Sequence, residues 1–459
     1  MGKPWIEEWK PDDDAFWEGG GRKIARRNLS FSIFAEFLGF AVWVLWSVTA
    51  AKLGDAGFKF TTSQLFTLTA VPALVGATAR FPYTLAIPKF GGRNWTVCSA
   101  LLLLIPTAIL PFLVSNPATP YWAFVLGAAT AGFGGGNFAS SMANISYFYP
   151  DKRKGLALGL NAAGGNLGVA VTQFVVPIAI TAGALSIGSG QKGGKLHLEN
   201  AGLIWIPFIL IAAVCAWLFM DNLRVSKAKT GDLAAIVGRK QTWVMSWLYI
   251  GTFGSFIGYG SGLPLLIKTQ FPKITLSIAF LGPLVGSLSR PIGGWLSDRI
   301  GGARVTFATF VAMAVAAATV IFFLNHKTEP WAFGGFLTAF VVLFLLTGIG
   351  NGSTYRMIPM IYRAIHTNGS TSGPAHDAAV AKARSETAAA VGFIGAVGAY
   401  GGWLIPQSFG FSTSVTGGPV PAFIGFIVFY GTCLAMTWWY YMRRSFAIAR
   451  APSLAEARV

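Results

Sequence analysis

Two arginines that could bind an anion lie inside long apolar segments of this chain. Residues 74–80 read LVGATAR, and residues 284–290, 210 positions later, read LVGSLSR. In both segments a Gly-Gly pair begins eleven residues after the arginine. A charge within a membrane span costs about 2.5–3.5 kcal/mol on insertion scales, so a matched pair is unusual. Arg80 and Arg290 therefore indicate a positively charged site between two repeated halves, as an anion carrier requires.

The composition is that of an integral membrane protein. Of the 459 residues, 54% are hydrophobic and only 11% are charged, whereas soluble domains carry about 25% charged residues. The formal net charge of +18 could indicate a nucleic-acid partner. The basic residues, however, lie in short connections between apolar segments, which is typical of a topology signal, and no nucleic acid is expected.

Apolar segments of spanning length predict twelve transmembrane helices. They cover residues 30–52, 64–88, 95–114, 120–148, 155–183, 202–221, 241–266, 276–298, 303–325, 331–362, 386–411 and 419–442. We therefore expect a tail (1–29), a six-helix bundle (30–221), a linker (222–240), a second six-helix bundle (241–442) and a second tail (443–459). Lysine and arginine are concentrated on the side of the tails and the linker, which predicts cytoplasmic termini and a multi-pass protein of the cell (inner) membrane.

Glycines repeat between the predicted halves. The fifth span contains Gly164, Gly165 and Gly168, and the eleventh contains Gly392, Gly395 and Gly398. Close packing of helices explains most such glycines. Matched glycine-dense spans also suggest helices that move against one another. The four histidines are scattered over predicted loops, so neither a metal site nor a cofactor is predicted.

Several motifs resemble a known family. Residues 293–304, GGWLSDRIGGAR, resemble the loop signature of the major facilitator superfamily, whose fold is two pseudo-symmetric six-helix bundles. Residues 134–144 and 155–168 resemble the nitrate signature of the NarK-type bacterial nitrate/nitrite porters, and residues 348–355 and 392–402 resemble its second copy. The resemblance covers nearly the whole chain and implies an all-α membrane protein.

The resemblance also implies roles for individual residues. Arg80 and Arg290 match the two substrate-binding arginines, and Phe138 matches an aromatic that packs on the anion. Asn166 and Tyr249 match polar contacts, while Tyr355 stands where relatives often carry phenylalanine. Ordinary core packing remains the alternative for Phe138 and Tyr355, and interhelical hydrogen bonding for Asn166 and Tyr249. Arg356 and Glu36 have no counterpart in the family's pattern.

Nitrate suits a pair of arginines because both the anion and the guanidinium group are planar and delocalised. Nitrite shares the charge and planarity and should bind the same site. For the arginines the alternative is a structural ion pair, and Glu36 is the one acid predicted inside a span. Two unpaired cations should resist closure of an empty site. This favours nitrate/nitrite antiport, and we expect the carrier to be a monomer in the lipid bilayer.

Two other functions remain open. A proton-coupled nitrate symporter would use Glu36 as its titrating group. A membrane-embedded sensor or enzyme would need a soluble output domain or a nucleophile–base arrangement, and the sequence suggests neither.

Overall fold

The computed structural model is helical throughout its membrane part. It describes residues 4–183, 196–224, 235–367, 373–443, 454–455 and 459. In this part of the chain no strand forms, and the one isolated β-bridge joins Ile6 to Leu223. Lys192, Lys195, Lys227, Lys229 and Arg444, which belong to the predicted connections and tail, lie outside the described residues.

The first half contains six long helical segments. They are α1 (Asp14–Ala56), α2 (Thr62–Phe90), α3 (Gly92–Ser115), α4 (Tyr121–Phe148), α5 (Lys152–Ala179) and α6 (Asn200–Phe219). The second half contains α7 (Lys240–Gln270), α8 (Leu276–Ile300), α9 (Gly302–Asn325), α10 (Ala332–Thr367), α11 (Pro374–Thr416) and α12 (Val420–Met442). The predicted all-α membrane architecture is confirmed.

Within the described ranges, eleven of these segments are long and apolar enough to cross a membrane. The exception is α4, whose 28 residues include the run Gly134–Asn137. This run faces protein rather than lipid: a Cβ atom on Gly134 would meet the Gly39 carbonyl of α1, and one on Gly136 would lie 2.9 Å from Ala79 of α2. Small residues let backbones approach closely, so α4 is held by packing between α1 and α2.

Some predicted helix boundaries differ from the structure. Helix α11 begins at Pro374 and ends at Thr416, against the predicted 386–411, and α5 runs from Lys152 to Ala179 rather than 155–183. Hydropathy indicates which residues face lipid, and a helix can extend beyond the hydrocarbon layer with polar residues. For the same reason His366 and His376 lie in helices α10 and α11, so their placement in loops was wrong.

In each half, one irregular turn interrupts the membrane-crossing part of the first helix. Helix α1 breaks at Val44, where φ is −99° and ψ is 11°. Helix α7 forms a π-helical turn over Ile250–Gly254. Such turns often accompany functional sites. Both lie close to the side chains described next.

Candidate functional site

Arg80 is buried where the two halves meet. Its Nε donates to the Gly135 carbonyl of α4 at 3.0 Å, and its Nη1 donates to the Gly395 carbonyl of α11 at 2.7 Å. The side chain is fully buried, and its Nη2 has no hydrogen-bond partner. Two backbone oxygens thus fix the plane of the guanidinium group and leave one donor nitrogen for a ligand.

Three aromatic rings surround the Arg80 guanidinium. Its Cζ lies 4.6 Å from the ring centre of Phe138, 5.0 Å from Phe253 and 5.4 Å from Trp43. Cation–π attraction contributes about 2 kcal/mol or more where water is excluded. The Trp43 Nε1 donates to the Pro72 carbonyl at 2.8 Å, which fixes the indole against α2.

A fourth ring, that of Phe40 on α1, supports two of these three. It meets the Trp43 ring edge-on with centroids 5.3 Å apart, and it meets the Phe138 ring at 6.0 Å. The aromatic surround of Arg80 is therefore built from α1, α4 and α7 together.

Arg290 has a more open setting. Its Nη1 is buried without a hydrogen-bond partner, and its Cζ lies 5.3 Å from the ring centre of Tyr355. Arg290 retains 5% of its surface exposed, whereas Arg80 retains none. The two guanidinium groups are close enough to repel each other electrostatically. An anion between them would remove that repulsion.

A row of aromatic rings connects the two arginines. Phe138 stacks on Phe253 with centroids 5.9 Å apart, Phe253 stacks on Tyr249 at 5.3 Å, and Tyr249 contacts Tyr355 at 6.4 Å. The Tyr355 hydroxyl is buried without a hydrogen-bond partner. The Tyr249 hydroxyl lies near the Arg290 guanidinium, which can donate to its oxygen. Their O–H groups are therefore available to an acceptor in the site.

Asn166 is fully buried, and neither atom of its amide group has a hydrogen-bond partner. It follows Gly165, whose added Cβ would lie 2.6 Å from the Glu36 Cγ of α1. Asn166 thus lies in the core, and in the described structure it makes no hydrogen bond to either arginine. The interhelical hydrogen bond that was the alternative for Asn166 is absent here, and the amide group remains available to a ligand.

Of the six predicted glycines, four are packed too tightly to admit a Cβ atom without a shift of their neighbours, and two have room for one. A Cβ on Gly168 would meet the Phe37 carbonyl, and one on Gly398 would meet the Tyr249 ring. Added Cβ atoms on Gly164 and Gly165 would meet the side chains of Ile33 and Glu36. By contrast, Cβ atoms on Gly392 and Gly395 would make ordinary contacts, at 3.6 and 3.9 Å.

The repeated sequence LVG before each arginine has a packing reason. A Cβ on Gly76 would lie 2.6 Å from the Trp43 Nε1 of α1, and one on Gly286 would lie 2.9 Å from the Phe256 ring of α7. Each glycine thus admits an aromatic ring from the first helix of its own half. Both arginines follow these contacts by one helical turn, which gives them equivalent positions in the two bundles.

Several site residues were not predicted. Phe253 and Trp43 contact the Arg80 guanidinium group, yet they resemble ordinary core aromatics in the sequence. Phe253 follows Tyr249 by four residues, so the two rings share one face of α7, and this spacing is a signal that could have indicated Phe253. The two carbonyl groups that accept hydrogen bonds from Arg80 belong to the backbone, so no residue type in the sequence indicates them.

Comparison with known proteins identifies similar sequences over nearly the whole chain. The Major Facilitator Superfamily profile matches residues 29–375. The nitrate/nitrite transporter NarU of Salmonella typhimurium is 45% identical over 446 residues, which cover 96% of each chain. The probable nitrate/nitrite antiporter NarK2 of Thermus thermophilus is 36% identical, with 96% of this chain and 97% of that protein covered.

Solved structures show the same fold at low sequence identity. One is a bacterial homologue of the human lysosomal transporter Spinster in an inward-facing and unoccupied conformation. It superimposes with a TM-score of 0.66 and 17% sequence identity, and the match covers 90% of this chain and 96% of that chain. A mutant of the nucleoside transporter NupG gives a TM-score of 0.59 and 12% identity, covering 89% and 98%. The predicted fold of two six-helix bundles is confirmed.

Proposed function

The chain belongs to the nitrate/nitrite porter family of the Major Facilitator Superfamily and exchanges nitrate for nitrite, and we propose that Arg80 and Arg290 bind the anion between them. The observation that carries this proposal is the pair of buried donor nitrogens without partners, Arg80 Nη2 and Arg290 Nη1. Buried donors normally have a hydrogen-bond partner. An anion with several acceptor oxygens supplies one to each arginine.

The surroundings of the arginines suit a flat, weakly hydrated anion. The rings of Phe138 and Tyr355 cover the two guanidinium groups and exclude water. The O–H of Tyr249, whose oxygen lies near Arg290, and the unpartnered Asn166 amide offer further donors. Charge-assisted hydrogen bonds contribute about 1.5–3 kcal/mol each, so a few of them suffice for selective binding.

Contacts between the halves favour alternating access. At the end of the bundle opposite the termini, Lys268 of α7 pairs with Asp55 of α1 at 3.0 Å, and Thr67 of α2 donates to Gln407 of α11 at 3.2 Å. At the end that carries the termini, the ion pairs Arg27–Asp221 and Arg239–Glu386 each stay within one half. Nearer the site, the rings of Phe81 of α2 and Phe393 of α11 still meet across the halves, with centroids 5.7 Å apart. We infer that the site opens toward the termini when this contact parts, and the positive-inside rule predicts that the termini are cytoplasmic.

Counterflow in proteoliposomes tests the proposed site. Labelled nitrate should enter vesicles that contain nitrate or nitrite, and Arg80→Lys and Arg290→Lys should each abolish most of this uptake, because lysine lacks the planar fork. Arg363→Lys is the matched control, since Arg363 is exposed at the end of α10. Near-normal exchange by both site variants would refute binding by the two arginines.

The same assay separates antiport from the alternatives. A symporter would accumulate nitrate in empty vesicles when the outside is acidified, whereas an antiporter would not.

We propose that the protein is not an enzyme and that it acts as a monomer, with both termini in the cytoplasm. Cross-linking in the membrane would test the monomer, and labelling of cysteines introduced into the tails would test the placement of the termini.

A further inference from the structure

Glu36 is an acid in the interior of the first half. Its side chain is fully buried in α1, and neither carboxyl oxygen has a hydrogen-bond partner. A buried carboxylate without donors is costly, and such groups bind a proton or pair with a cation. The structure places the Glu36 side chain in the core of the first half.

Groups from three other helices surround the Glu36 carboxyl. Arg80 of α2 is close enough to attract it, and the Ser141 hydroxyl of α4 lies beside it. From α5, Gly165 packs against its Cγ. The Ser141 oxygen accepts from the Asn161 amide at 2.6 Å and contacts Ser32 at 3.1 Å, so its O–H can still donate to the Glu36 carboxylate.

Arg80 attracts the Glu36 carboxylate through space, without a hydrogen bond or ion pair between them in the described structure. Of the other charged groups packed around α1, Asp221, two residues after the end of α6, pairs with Arg27 at 2.7 Å, and Arg93 of α3 lies over the Trp217 ring at 5.1 Å. Arg290 repels the Arg80 guanidinium group electrostatically. Glu36 and the transported anion therefore compete for the same cation.

We propose that Glu36 is a proton-binding site coupled to the anion site, and that its carboxylate takes up one proton from water as nitrate or nitrite binds. An O–H bond forms on Glu36, no other bond changes, and the proton returns to water when the anion leaves. The reason is charge: an anion beside an ionised Glu36 would place two like charges at Arg80 where the dielectric is low. A proton removes that repulsion.

This proposal rests on the proposed anion site and is compatible with exchange. In an exchange cycle the carrier crosses loaded in both directions, so the proton crosses with each anion and no net proton moves. Exchange should therefore respond weakly to a pH gradient, while the affinity for the anion depends on the pH common to both sides.

Calorimetric titration of the full-length purified protein with nitrate tests the coupling. The wild-type affinity should increase as pH falls, by up to about tenfold per pH unit for one fully coupled proton. Titration in buffers of different ionisation enthalpy should show uptake of up to one proton per nitrate. Glu36→Gln should bind tightly at every pH, without proton uptake, and the control Glu329→Gln, an exposed acid, should behave as wild type.

Two results would overturn the coupling. One is a wild-type affinity that does not change with pH, with no proton uptake; this measurement needs no variant and holds even if Glu36→Gln does not fold. The other is a Glu36→Gln variant that keeps the wild-type pH dependence. If instead the wild-type chain binds no nitrate at any pH, the proposed anion site itself fails, and the proton proposal fails with it.

Discussion

Arg80 in α2 and Arg290 in α8 occupy equivalent positions in two repeated halves, but their surroundings differ. Arg80 is fixed by two carbonyl groups and lies among three aromatic rings. Arg290 contacts one tyrosine ring and retains some exposure. The two arginines match in sequence, but Arg80 is held rigidly and is called the anchor below, whereas Arg290 has fewer contacts and can adjust its position. The anchor also joins the halves, because its Nη1 bonds to Gly395 of α11.

The largest expected effect separates the two arginines. Arg80→Lys should reduce counterflow at least about 100-fold, because it loses two charged hydrogen bonds of about 1.5–3 kcal/mol each besides its contact with the anion. Arg290→Lys should reduce it about 10- to 100-fold, since within the described residues Arg290 bonds to no backbone carbonyl and its protein contacts are with the side chains of Tyr249 and Tyr355. Thermal unfolding should show a lower Tm for Arg80→Lys alone. Equal Tm values would contradict the description of Arg80 as the anchor.

The tightly packed Gly168 of the first half and the loosely packed Gly392 of the second should also differ. Gly168→Ala should reduce counterflow about tenfold or more, because the new methyl group meets the Phe37 carbonyl and overpacking costs about 1–3 kcal/mol. Gly392→Ala is the matched control, since its methyl group would lie 3.6 Å from Thr84. Counterflow and Tm of the two purified variants provide the measurement. Equal losses would show that steric contact does not explain these glycines.

A third test concerns the aromatic rings beside each arginine. Phe138→Ala should weaken nitrate binding about tenfold or more, because a desolvated cation–π contact contributes about 2 kcal/mol. Phe138→Tyr keeps the ring face and should bind more tightly than Phe138→Ala. Titration calorimetry measures both. The ring is irrelevant to binding if the alanine variant has wild-type affinity.

The smallest expected effect is at Tyr355 in the second half. Tyr355→Phe keeps the ring that lies 5.3 Å from the Arg290 Cζ, so nitrate affinity should stay within about threefold if the hydroxyl contributes less than one neutral hydrogen bond. A loss well beyond that in the same titration would assign the hydroxyl a direct contact with the anion, and Arg290 would then have a partner as important as those of Arg80.

The sequence by itself determined the family, the twelve helices and the two arginines. Spanning hydropathy and basic connections specify helices in a membrane, and the cost of an intramembrane charge makes Arg80 and Arg290 conspicuous in one sequence. Family motifs then implied Phe138, Asn166, Tyr249 and Tyr355. These inferences depend on residue type and spacing along the chain, which a sequence contains.

Only the tertiary structure decided how the two halves of the site differ. The Arg80 bonds to Gly135 and Gly395 use backbone oxygens, which every residue carries, so no residue type indicates them. Phe253 and Trp43 reach Arg80 from α7 and α1, and the burial of Glu36 depends on Gly165 of α5. Contacts between helices distant in sequence depend on how the helices pack, and a hydropathy pattern does not specify that packing.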